Sequence, residues 1–314
     1  MQTSFTRLVG TRHPLQQAAM AAVTVPELAG AVARAGGLGM LCQYDVEPSP
    51  QRMARALELG AGGPVGMGFF GQWIDGDLGT FEAAANTLHV VEVFWSQPDP
   101  ALVQRARQAG PALVCWQVGS VEEARSAADA GCDFVVAQGV EAGGHVRGTA
   151  ARQVLLDEVL AALDIPVVTA GGIATAADVS AALTAGAAAV RVGTRFVATE
   201  ESNAHPDYIQ ALLAASSGED TVLTTAFAVG WPDAPHRVLA SALSAAERFH
   251  GEVVGHVLDP DGQTEVARFQ VSPPSRLVVG HVEAMALYAG TGVGAVHAVQ
   301  PAADVVADLV SLLP

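Results

Sequence analysis

The sequence predicts an α/β protein, a (β/α)8 TIM barrel with a small C-terminal lid or insertion. Three observations carry this. Eight short apolar runs recur in the first 200 residues, each followed by an Ala-rich helical pattern. Caps and glycines punctuate the helix ends. No dinucleotide fingerprint follows the first run in residues 10–40, where a doubly wound sheet would carry one.

The elements follow in order. Strand 15–20 leads to helix 26–35, strand 38–41 to helix 49–59, strand 64–69 to helix 81–87, and strand 90–94 to helix 100–109. Strand 112–117 then precedes helix 121–130, strand 134–137 helix 153–163, strand 166–170 helix 176–185, and strand 189–193 helix 206–215. Ser120 with Glu123 forms a capping box, and Thr175 can cap the next helix with Asp178 in its first turn. Gly110, Gly131 and Gly186 fall just after helices, where a left-handed cap is wanted. Past residue 215 the rhythm changes. Residues 221–229 read as extended, followed by Pro- and His-containing stretches and then helices at 282–288 and 302–313. The barrel is therefore expected over 1–215 plus 276–314, with 216–275 as the insertion or lid.

Composition narrows the function. Of 314 residues half are hydrophobic and 15% charged, so a sizeable core can form. Acids outnumber bases by 32 to 16, a net charge of −16 with no basic cluster, which excludes a nucleic-acid partner. The Ala-rich run 18–35 is broken by Pro26, Glu27 and Arg34 and is not a membrane span. Three widely spaced cysteines, Cys42, Cys115 and Cys132, argue against a disulfide framework or a metal site. With no secretory leader pattern, the expected setting is a reducing cytoplasm. The oligomeric state is left open, a homodimer among the options.

One stretch is built for chemistry. Gln138-Gly139-Val140-Glu141-Ala142-Gly143-Gly144-His145 follows a buried strand, so a flexible turn delivers a titratable ring at a strand's carboxyl end. His145 is the candidate catalytic base; a loop-fixing hydrogen bond is the plainer role. Glu141 is a second candidate base, though an acid there more often ties backbone N–H groups. Two further junctions, Ala170-Gly171-Gly172-Ile173 and Val192-Gly193-Thr194-Arg195, lie after the seventh and eighth strands, where barrels bind phosphate on backbone N–H groups. No Lys follows the glycines, so neither is a P-loop. Arg195 can assist there or pair with an acid such as Glu200. Trp95, Trp116 and Tyr288 can pack in the core or wall an apolar pocket. The other eight histidines read as surface or satisfied structural groups.

Taken with Pro14–Met20 and Gln117-Val118-Gly119-Ser120, these motifs resemble the nitronate monooxygenases, formerly called 2-nitropropane dioxygenases, which are FMN-dependent barrels. The likeness runs over about residues 10–300. The Glu-Ala-Gly-Gly-His loop also marks the wider superfamily, which includes NAD(P)H-dependent enoyl reductases of fatty-acid synthesis and NADH:quinone reductases. The resemblance implies His145 as the base beside FMN and Gly171, Gly172, Gly193 and Thr194 around its phosphate. It places Gln117 and Gln138 along the ribityl chain and ring, with backbone of Ala19 and Met20 against the isoalloxazine. Gly68, Gly143, Gly144 and Ala170 complete the cofactor-binding set. Two departures stand out: Ala18-Ala19 replaces a usual Gly-Gly, and Gly68 replaces a usual Asn.

The implied activity is oxidation of alkyl nitronates by O2 to a carbonyl compound and nitrite. For neutral nitroalkanes His145 would remove the α-proton, a task that suits a pKa near neutrality. The alternatives are an NAD(P)H-dependent flavin reductase of the enoyl-thioester or quinone type, and a non-flavin phosphate-binding barrel.

Overall fold

The computed structural model describes residues 1–43, 49–259 and 262–314. Its centre is a parallel barrel. In chain order the strands are β1 (Leu15–Gln17), β2 (Gly39–Cys42), β3 (Val65–Phe70), β4 (Val90–Phe94), β5 (Leu113–Val118) and β6 (Phe134–Gln138). A two-residue strand β7 (Gly144–His145) leaves the barrel, which β8 (Val167–Ala170) and β9 (Ala189–Val192) complete. The hydrogen-bonded order is β1-β9-β8-β6-β5-β4-β3-β2. A bridge between Gln16 and Leu38 closes the ring.

Helix α1 (Ser4–Val9) plugs the amino-terminal end, with Phe5 edge-on to Phe134 inside the barrel at 5.4 Å. Seven consecutive helices wrap the outside, α2 (Pro26–Arg34), α3 (Ser49–Gly60), α4 (Leu78–Thr87), α5 (Pro100–Ala109), α6 (Val121–Asp129), α7 (Arg152–Ala162) and α8 (Ala176–Thr184), and the C-terminal helix, Ala302–Val310, fills the place between α8 and α2. The strands alternate as a barrel demands. On β4, Val91 and Val93 pack outward against the helices, while Val90 joins the interior cluster with Cys115, Phe134, Val136 and Val168. Toward the carboxyl end the interior turns polar, with buried Gln16, Glu92, Gln117, Gln138 and Arg191. That change of character marks the working end.

After β9 come a short helix α9 (Thr194–Val197), α10 (Pro206–Ala214) and the strands β10 (Thr221–Thr224) and β11 (His236–Leu239). Then follow α11 (Ala240–Arg248), β12 (Val253–Asp259), β13 (Gly262–Ala267), β14 (Val278–Gly280) and α12 (Ala302–Val310). Two small antiparallel sheets result, β10-β11-β7 and β13-β12-β14.

Two expectations are corrected. The helix over 282–288 is a three-residue 3-10 turn, Val282–Ala284, after which the chain is extended. Its backbone is claimed by β11: Leu239 N–H donates to Leu287 O at 2.8 Å, and Val238 bridges Tyr288. The first strand stops at Gln17, because Met20 O accepts from Val23 and Thr24 and turns the chain. Residues 221–229 are strand only to Thr224.

Candidate active site

A cavity of about 360 Å³ opens at the carboxyl end of the barrel. Twelve of the thirteen residues singled out from the sequence line it: Ala19, Met20, Gln117, Gln138, Gly143, Gly144, His145, Ala170, Gly171, Gly172, Gly193 and Thr194. Gly68 does not. A β-carbon there would lie 2.7 Å from the Ala19 β-carbon, so Ala19 stands between Gly68 and the cavity. The two departures from the family pattern are thus one steric exchange: the methyl on 19 occupies the room that a side chain on 68 would need.

His145 is placed by tertiary pairing. It sits on β7, the edge strand of a sheet whose other members, β11 and β10, lie far along the chain, and its register partner is His236. From below, Gln138 Nε2 donates to His145 O at 3.0 Å. Glu141 accepts twice from Arg152 N–H, at 3.0 and 2.8 Å, and ties the loop to the start of α7. It is a loop anchor.

The imidazole lies among rings. Trp231 stacks on it with centroids 3.9 Å apart and planes 15° off parallel. His236 is at 5.2 Å, Tyr288 at 5.7 Å and Trp95 at 5.7 Å. Desolvation by this packing, with His236 nearby, pushes the His145 pKa down to about 3. The expectation of a near-neutral value is corrected: the ring is neutral throughout the physiological range. Among the described residues, His145 Nε2 and Gln138 Oε1 are buried without a hydrogen-bond partner. His236 is fully buried and held in one tautomer, with Nδ1 against Ala234 O at 2.8 Å and Nε2 accepting from Phe227 N–H at 3.3 Å. It is structural, as expected, yet part of the site.

The floor is a buried charge network. Arg191 on β9 pairs with Glu92 on β4 and donates to Gln117 Oε1 on β5, and Gln16 Nε2 donates to Glu92 at 3.2 Å. The Arg191 and Glu92 side chains are 5% and 2% exposed. Burial pushes the guanidinium pKa down to about 9, which leaves it charged near neutrality. Arg191 Nε has no partner among the described residues, and the residue lines the cavity.

The two glycine turns converge, and a third segment joins them. Gly172 adopts φ +68°, and a β-carbon there would lie 2.7 Å from Thr291 Oγ1. Gly193 differs: its backbone is ordinary, and a β-carbon would find only the Ala18 β-carbon at 3.5 Å and Met20 Sδ at 3.7 Å. Thr194 Oγ1 accepts from Gly290 N–H at 3.1 Å, which brings Gly290 and Gly292 to the wall beside Gly172. That segment was missed, although the spacing Gly290-Thr291-Gly292-Val293-Gly294 is a readable signal. Arg195 does not pair with Glu200. It bonds Ala174 O at 2.8 Å and Asp308 at 3.4 Å, tying α9 to α12. Trp116 is core, its indole N–H donating to Ser96 O at 3.1 Å.

Comparison with known proteins fits this geometry. A family model described as nitronate monooxygenase matches residues 2–70 and 80–311. The chain is 35% identical over 261 residues to a nitronate monooxygenase of Pseudomonas aeruginosa, covering 68% of this chain and 74% of that one. It is 33% identical over 258 residues to a 5-hydroxy-7a-methyl-1-oxo-octahydroindene-4-carboxyl-CoA dehydrogenase of Rhodococcus jostii, covering 82% and 71%. A solved nitroalkane oxidase from Streptomyces ansochromogenes superposes with a TM-score of 0.76 at 29% identity, covering 99% and 98%.

Proposed function

The chain belongs to the nitronate monooxygenase family and is an oxidoreductase, and from that premise we propose that it binds one FMN here and oxidises alkyl nitronates with O2 to a carbonyl compound and nitrite. The observation that carries this reading is the meeting of His145 with two glycine turns in one cavity whose lining includes the Arg191 guanidinium. Backbone N–H groups and that guanidinium suit anions, and both a flavin phosphate and a nitronate are anionic.

The residues present suit the cofactor. The Gly171–Gly172 and Gly193–Thr194 turns, with Gly290 and Gly292, offer backbone to a phosphate. Gln138 Oε1, which lacks a protein partner, suits a donor on the flavin, and Ala19 and Met20 supply an apolar bed. When bound, FMN supplies the two-electron redox chemistry that amino-acid side chains lack. The chain's own part is position and protons. Gln138 holds the β7 backbone, Trp231 fixes the plane of the imidazole, and His145, neutral at working pH, takes the α-proton from a nitroalkane. A pre-formed nitronate needs no such step.

The test is anaerobic mixing. Ethyl nitronate should bleach the bound flavin much faster than NADH or NADPH, and aerobic turnover should consume O2 and release nitrite. Rapid bleaching by either nicotinamide with no response to nitronate would move the protein to the reductase reading.

Cofactor binding has its own test in Gly193→Val. The β-carbon meets only ordinary van der Waals contacts, so the thermal midpoint should stay near wild type. Its side chain would project toward Ala18 and Met20 in the cavity, and the FMN dissociation constant should rise about tenfold or more as backbone bonds to a charged group are lost. Gly172→Val is the poorer probe, since its left-handed backbone and the Thr291 contact would strain the fold itself.

A further inference from the structure

The site has a second half that the proposed chemistry uses only to hold the imidazole. Trp231 comes from the segment between β10 and β11, and three rings meet it edge-on: Trp73 at 4.8 Å, Trp95 at 4.9 Å and Phe70 at 5.2 Å. Phe70 and Trp73 reach it from the end of β3 and the 3-10 turn that follows, Gly71–Asp77. Phe70, Trp73 and Trp231 all line the cavity on the side of His145. The Trp231 segment is pinned: Trp231 N–H donates to Ala228 O at 3.0 Å, and Val229 exchanges bonds with Phe269 O and Val271 N–H, each at 3.0 Å. Its indole is 5% exposed and flat on the imidazole.

A wall of three preorganised aromatic rings beside a proton-transfer group is more than a small substrate needs. Such rings offer large, polarisable faces at little entropic cost, and they favour flat apolar partners over charged ones. We infer that this wall seats the carbon chain of the substrate, so that the preferred substrate carries an aryl or similarly bulky apolar substituent, with Trp231 as the specificity-determining residue. The inference rests on the nitronate reading for the identity of the reacting group, but not for the nature of the chain.

Two measurements on FMN-loaded protein test it. The first compares kcat/KM for the nitronates of 2-phenylnitroethane and nitroethane. The aryl substrate should lead by about tenfold or more, mainly through KM. In Trp231→Ala the ratio should collapse toward one, and Trp231→Phe should restore much of it. The second is binding without turnover, using 3-phenylpropanoate and propanoate as carboxylate stand-ins for nitronates. It is followed by quenching of tryptophan fluorescence, since three of the four tryptophans lie in or against the wall. The phenyl acid should bind about tenfold tighter, and Trp231→Ala should erase that preference. Equal treatment of aryl and ethyl ligands by the wild type would overturn the inference while leaving the nitronate reading intact, as would a preference that survives in a folded, flavin-loaded Trp231→Ala. Absence of nitronate turnover together with Trp231-dependent binding of the phenyl acid would sink the nitronate reading and sustain this one.

Discussion

His145→Ala is expected to lower turnover of neutral nitroalkanes by on the order of 10²-fold, the low end for a positioned general base because a ring whose pKa is about 3 is a weak one, and to spare most turnover of pre-formed nitronates. The asymmetry follows from charge state: only the neutral substrate must lose an α-proton. FMN content should stay near wild type, because the glycine turns after β8, after β9 and after Tyr288 offer backbone that the His145 side chain does not hold. The pH profile sharpens the test. The imidazole pKa sits at about 3, so its neutral, proton-accepting form is fully populated above pH ~5. As pH falls from 8 to 5, kcat/KM for a nitroalkane should therefore stay flat on the enzyme's side, with the acid limb below. A limb near 6.5, the ordinary value of histidine, would mean that the loaded site re-exposes the ring to water. Equal loss with both substrates and flavin retained would make His145 a binding residue.

The barrel was legible because its signal is local and repeated. Apolar runs such as Phe134-Val135-Val136-Ala137, each followed by a capped helix, need only sequence periodicity to be read. The glycine turns and His145 were legible for a related reason. In a parallel barrel, whatever follows a strand arrives at the carboxyl-end face, so chain position alone places it. The misread helix over 282–288 shows the limit. Met285-Ala286-Leu287-Tyr288 has helical composition, but pairing with β11 offers its backbone better partners, and tertiary context overrode propensity.

The aromatic wall was illegible for the same cause. Trp231 meets His145 only because β11 pairs with β7, a register that no local pattern announces. The neutral, low-pKa state of His145 likewise depends on rings delivered from the end of β4, the stretch before β11, β11 itself and Tyr288. The charge network did leave a trace. Val91-Glu92-Val93 and Val190-Arg191-Val192 each set one charge at the centre of an apolar strand, and two opposite lone charges in one barrel invite pairing.

That pairing sets the largest expected stability effect. Glu92→Leu leaves Arg191 buried at the barrel floor with its carboxylate partner gone, and should cost about 3–5 kcal/mol, the range for breaking a buried ion pair from one side. The cost is desolvation, not lost attraction. Arg191 keeps its bond to Gln117 but, with its side chain 5% exposed, regains little hydration, and Gln16 Nε2 loses its acceptor as well. Urea unfolding of the FMN-loaded protein measures it through the midpoint at unchanged slope. Glu92→Leu with Arg191→Met removes both charges and should recover much of the loss, because apolar replacement of a whole buried pair is often neutral. The double variant should then bind FMN less tightly than wild type, since Arg191 is the guanidinium on the cavity lining. A single-variant cost under about 1 kcal/mol would show water reaching the barrel floor, as for an exposed pair. A double variant no more stable than the single would show that shape, not charge, holds β4 against β9.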